Sequence, residues 1–159
     1  MLQHKLNDYK KAIITIRHPL DSSIALFNHQ VKSVHKYVDV KMFDLINFSK
    51  LFLEEGFQKW MQFHDRILED FKGQIHFVQY EKLKINMIEE MRSITLFLGF
   101  ELTNEIESCL ILDFQGKFKR DRRPQHEIDA IYKNFTKTQL DKFDNIYDEY
   151  LQRFQSRIN

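Results

Sequence analysis

A short apolar, β-branched run, Ala12–Ile16, and a second segment, Ile75–Tyr80, stand out from a chain whose other apolar positions recur at helical spacing. The first reads as a buried strand and the second, which follows Gly73, as a strand with Tyr80 at its carboxyl end. After the first run, Leu20, Ile24, Phe27, Val31, Val34 and Val38 follow at steps of three and four, one face of an amphipathic helix. Pro19 suits its first position and Asp21 its first turn. Phe57, Trp60, Phe63, Ile67 and Phe71 mark a second helical region over Phe43–Phe71, with a break expected near Gly56 and closure at Gly73. Beyond the second strand, Met87, Met91, Ile94 and Leu98 predict the buried face of one basic helix that Gly99 caps. Thr103 opens a helix ending near Leu112. A charged, irregular segment over Asp113–Pro124 follows. The last helix starts at Thr136 with Gln139 completing a capping box, and Leu140, Phe143, Tyr147, Tyr150, Leu151 and Phe154 form its apolar face.

A length of 159 residues predicts one domain over 1–159, and 43% hydrophobic with 30% charged residues is ordinary for a globular chain. The formal net charge of +1 gives no global attraction to nucleic acid or membrane. The lone cysteine, Cys109, excludes an internal disulfide. No apolar run reaches the length of a membrane span and the start carries no signal-peptide core, so a cytoplasmic placement is expected. His18 sits at a strand–helix junction, His29, His35 and His64 in helical stretches, His76 in a strand and His126 in a basic loop, none with metal-ligand spacing.

Candidate chemistry gathers where the first strand ends. Open α/β sheets bind ligands beyond the carboxyl ends of their strands. Arg17 stands there, able to fork onto a phosphate that also faces the free N–H groups of the next helix. Ser22 and Ser23 offer hydroxyls in that helix's first turn. The plainer alternative pairs Arg17 with Asp21 as a surface salt bridge at the helix start. Tyr80 ends the second strand, either as a platform for a purine or as a hydrogen-bonded strand terminus. Lys117, Lys119, Arg120, Arg122 and Arg123 form a cation run that reads as a solvated face or as a phosphate clamp.

Taken together, Arg17-x-Pro19-x-Asp21 after an apolar strand, Tyr80-Glu81 after a second, Phe97-Leu98-Gly99 closing the next helix, and a cationic loop before a last helix resemble the sulfotransferases. The resemblance runs from about Ala12 to Phe154. It implies an α/β fold with a parallel sheet flanked by helices, related to the P-loop nucleotide hydrolases but truncated and helix-rich. It also implies transfer of a sulfuryl group from 3′-phosphoadenosine 5′-phosphosulfate (PAPS) to a hydroxyl or amine acceptor. Arg17 and Ser22 then hold the 3′-phosphate, Tyr80 lies against the adenine, and Gly116, Lys117 and Arg120 cover the phosphate. His4 stands where the family carries its base, beside the reading of an ordinary terminal histidine. Trp60 and His64 match a Trp and a His of the family's corresponding helix, or simply pack.

The departures are equally specific. The family's phosphate-binding Ser falls on Ala25, and Ser22 is the substitute on the same helical face. Phe114 and Gln115 stand where an Arg and a Lys are expected before Gly116. No Pro-Lys-Ser-Gly-Thr-Thr loop is present to cradle the 5′-phosphosulfate. The chain is therefore expected to be the C-terminal portion of such an enzyme, a longer form of which would suit a Golgi membrane. Two other classes stay open: a module that holds the nucleotide without catalysis, and a helix-rich protein gripping an acidic partner.

Overall fold

The computed structural model describes residues 8–31, 38–44, 54–113 and 123–157. Among them run strand β1 (Lys11–Ile16), helix α1 (Pro19–Val31), a 3-10 turn (Val40–Asp44), α2 (Glu55–Asp70), β2 (Gln74–Gln79), α3 (Tyr80–Ile85), α4 (Met87–Leu98), α5 (Asn104–Asp113), α6 (Gln125–Tyr132) and α7 (Lys137–Ser156). Among the described residues the protein is helix-rich, with a small parallel sheet of two strands. Two compact units divide the chain, one formed by 1–17, 66–119 and 152–159, the other by 18–65 and 120–151.

The first unit holds the sheet. β1 and β2 pair in parallel and in phase, from Lys11 with Gln74 to Ile16 with Gln79. Ile14, Ile16, Ile75 and Val78 are buried, as are Ile67, Leu68 and Phe71 from the end of α2 and Phe154 from the end of α7. Each fully buried side chain of this size contributes about 1.5–3 kcal/mol. The turn into β2 depends on Gly73, where a Cβ would lie 2.5 Å from the Lys10 carbonyl oxygen and 2.6 Å from the Phe71 ring. That closeness lets the Gln74 N–H reach Lys10 O at 2.9 Å and start the ladder.

The single basic helix expected after β2 is two helices. Asn86 (φ −123°, ψ 52°) leaves the helical region between α3 and α4, and its own N–H closes α3 on Lys82 O at 2.8 Å. Asn competes for backbone bonds in this way and is a weak helix former. The face of Met87, Met91 and Ile94 is only half-buried, and Leu98 is exposed. Gly99 caps α4 at φ 91°, with the Phe100 N–H bonded to Thr95 O at 2.8 Å.

The second unit is built around Leu20, Phe27, Val38, Phe43, Phe57, Ile131 and Phe143. Val38 joins this core without continuing α1: the Asn28 side chain accepts its N–H at 3.0 Å, so a side chain takes the place of the helical ladder. Val34 lies outside the described residues. Gly56 sits in the first turn of α2, with Ser23 Oγ 3.5 Å from the position of an added Cβ, and residues 45–53 before it lie outside the described residues. The segment after Pro124, expected to be irregular at His126, forms α6. The capping box of α7 is present: Thr136 N–H donates to Gln139 Oε1 at 2.9 Å and Gln139 N–H to Thr136 Oγ1 at 3.3 Å.

Candidate functional site

In-phase pairing decides what stands at the carboxyl ends of the strands. Ile16 pairs with Gln79, so the next residues, Arg17 and Tyr80, leave adjacent strands at the same level. Strand spacing is about 4.8 Å, and the Arg17 guanidinium carbon lies 4.6 Å from the centroid of the Tyr80 ring. Both side chains are half-buried. The guanidinium lies over the phenol ring.

Tyr80 is also the first residue of α3, which sets Lys84 one helical turn further on. Its ammonium lies 5.6 Å from the same ring centroid. Sequence reasoning missed Lys84, although the i, i+4 spacing from Tyr80 was there to be read. The ring quadrupole attracts both cations.

Ser22 is half-buried in the first turn of α1, its N–H bonded to His18 O at 2.9 Å. Ser23 is buried and donates its hydroxyl to Pro19 O at 2.9 Å. That hydroxyl is committed to the helix, which corrects the expectation of a second serine donor. Asp21 accepts the Tyr132 hydroxyl at 2.8 Å. A pair that the sequence pattern did not suggest links His18 Nε2 to Asp144 Oδ1 at 3.0 Å, with Tyr147 edge-on to the imidazole at 5.2 Å.

The cation run divides. Lys117 and Arg120, with Gly116, lie outside the described residues, as does His4. Arg123 is 7% exposed and bonded to Glu127 Oε2 at 3.0 Å, Asn28 Oδ1 at 3.1 Å and Val38 O at 2.8 Å. It ties α1 to α6 within the second unit, which removes it from any phosphate clamp. Trp60 and His64 pack together with ring centroids 4.1 Å apart, and His64 Nδ1 lies 2.7 Å from Trp60 O. Burial holds the His64 imidazole below its ordinary range, against the opposing pull of the Trp60 carbonyl and Asp65. Burial lowers His76 in the same direction, with Glu90 opposing. Among the described residues no three His, Cys, Asp or Glu gather as metal ligands, and no helix is long and apolar enough to cross a membrane.

Residues 10–104 match the profile of the sulfotransferase family. The chain belongs to the sulfotransferase family. Arg17, Ser22, Tyr80 and Lys84 all fall within the segment that the family profile covers. WSCD family members are among its relatives: one from Aedes aegypti is 27% identical over 121 residues, covering 72% of this chain and 37% of the relative. Another, from Drosophila melanogaster, is 28% identical with the same coverage. The chain thus spans little more than a third of the length of the curated relatives it matches. No solved structure matches the sequence.

Proposed function

We propose that this domain binds the 3′-phosphoadenosine end of PAPS and serves sulfuryl transfer to a hydroxyl or amine acceptor. The single observation that supports it most is the stack of Arg17 on Tyr80 beyond two paired parallel strands. A guanidinium there offers a planar fork to a phosphate. The phenol helps to orient the guanidinium and is the candidate platform for adenine. Ser22 is the candidate hydroxyl donor in place of the family's Ser, and Gly116, Lys117 and Arg120 are the candidates for covering the phosphate. His4 is the candidate base. PAPS supplies the sulfuryl group; the residues named bind and orient its nucleotide end. The P-loop-like sheet architecture over 1–159 belongs to the same proposal.

One observation favours a narrower reading, in which the chain holds the nucleotide without transferring the group. Among the described residues, Gly56 lies in a helix, Gly73 before a strand and Gly99 at a helix end, and none opens a strand–loop–helix cradle for a 5′-phosphosulfate.

Calorimetry with adenosine 3′,5′-bisphosphate tests both readings, followed by transfer of labelled sulfate from PAPS. Binding that Arg17→Ala weakens tenfold or more, an outcome on the order of one charge-assisted bidentate pair, supports the donor site. Transfer to a phenol or amine supports the enzyme. Binding without transfer supports the narrower reading, and undiminished binding by Arg17→Ala overturns the assignment of this site.

A further inference from the structure

We propose that Lys84 acts with Arg17 as a two-cation receptor for a phosphate dianion, mounted on the ring of Tyr80. The inference rests on the nucleotide-binding reading above and adds a residue to that site.

The two cations reach one phenol from different elements. Arg17 comes from the end of β1, with its guanidinium carbon 4.6 Å from the ring centroid. Lys84 comes from α3, with its ammonium at 5.6 Å. Each is drawn there by the ring's negative face, yet two like charges held beside one ring repel each other. A monoanion between them offsets that repulsion only in part. A phosphomonoester carries close to two negative charges at neutral pH and presents three acceptor oxygens, so it satisfies both cations together.

The chemistry of each cation suits the division of labour. The guanidinium is a rigid fork, and its position over the ring pre-orients it. Lys84 is a point charge on a flexible, exposed stem, able to leave the ring and follow the anion. Among the described residues the Lys84 ammonium has no carboxylate partner. Lys82 carries the same charge on the same short helix, but residues two apart do not share a helical face. It is not on the Tyr80 ring, so it serves as an internal control for charge alone.

The experiment titrates the full chain and its Lys84→Met, Lys84→Arg and Lys82→Met variants by calorimetry with adenosine 3′,5′-bisphosphate and with adenosine. Inorganic phosphate is titrated in parallel by NMR. Lys84 is exposed, so these substitutions leave folding intact. Lys84→Met is expected to weaken the bisphosphate by about fivefold, the scale of one exposed ion pair, while Lys84→Arg and Lys82→Met stay within about twofold. Adenosine affinity should not respond to any of the three. Equal bisphosphate affinity in Lys84→Met and Lys82→Met overturns the receptor and leaves the nucleotide reading standing. Inorganic phosphate binding that depends on Lys84, without bisphosphate binding, upholds the receptor and overturns the nucleotide reading. No binding of either ligand overturns both.

Discussion

Arg123→Met is expected to lower stability by about 2–3 kcal/mol and to leave nucleotide affinity unchanged. Methionine preserves most of the apolar stem but gives up the guanidinium that lies 5.5 Å from the centroid of the Phe43 ring. The loss is therefore polar. Asn28 Oδ1 retains its bond from the Val38 N–H at 3.0 Å, but the Val38 carbonyl loses its donor at 2.8 Å. A buried group left unsatisfied costs about 1–3 kcal/mol. The ion pair with Glu127 adds about 0–1 kcal/mol, because that carboxylate is 36% exposed and water takes the place of the guanidinium. Relief of the arginine's own desolvation trims the sum. In urea, with a slope of about 1–3 kcal/mol per molar, the midpoint should fall by about 1–2 M. A shift under about 0.3 M would refute the structural role. So would a normal midpoint combined with weakened binding of adenosine 3′,5′-bisphosphate, which returns Arg123 to the phosphate clamp.

Two further outcomes follow from packing and burial. Gly73→Ala places a methyl 2.5 Å from the Lys10 carbonyl oxygen, which is itself held by Gln74 N–H, so relief requires movement of backbone. A loss of about 1–3 kcal/mol is expected in denaturant unfolding, and unchanged stability would show that the β1–β2 start is looser than described. For pH, the buried His64 and half-buried His76 resist protonation in the fold, whereas the unfolded chain takes up those protons near 6.5. Stability is thus complete above that value and declines as pH falls through it. Urea midpoints measured from about pH 8 to about pH 5 should drop, with His64→Gln flattening the profile, and a rise on acidification would contradict the burial of these rings.

β1 was legible because Ala12–Ile16 is a short β-branched run, β2 because Ile75–Tyr80 follows the helix closure at Gly73, and α1, α2 and α7 because their apolar residues keep a helical period. Where a single side chain overrode the period, the sequence misled. Asn28 draws Val38 out of the α1 pattern, and Asn86 splits one amphipathic helix in two. α6 went unseen because Gln125–Tyr132 is short, with its apolar positions bunched at Ile128–Tyr132, and follows a run of cations. Arg17 and Tyr80 were legible as a candidate site from their places after the two strands. Their contact was not, since register is a tertiary property that two separate runs do not encode. Arg123 was misread for a related reason: among neighbouring cations nothing local marks the one whose partners, Asn28 and Val38, lie far back along the chain.

The in-phase ladder has a consequence for how such a chain tolerates change. Insertions anywhere between the two strands leave Arg17 and Tyr80 side by side, because the backbone bonds and not the intervening path measure their separation. Removing one residue inside either strand does the opposite. It would turn the succeeding side chains to the other side of the sheet and part the two groups at a stroke. Variation in length should therefore accumulate in the connecting helices, while the strands keep their count.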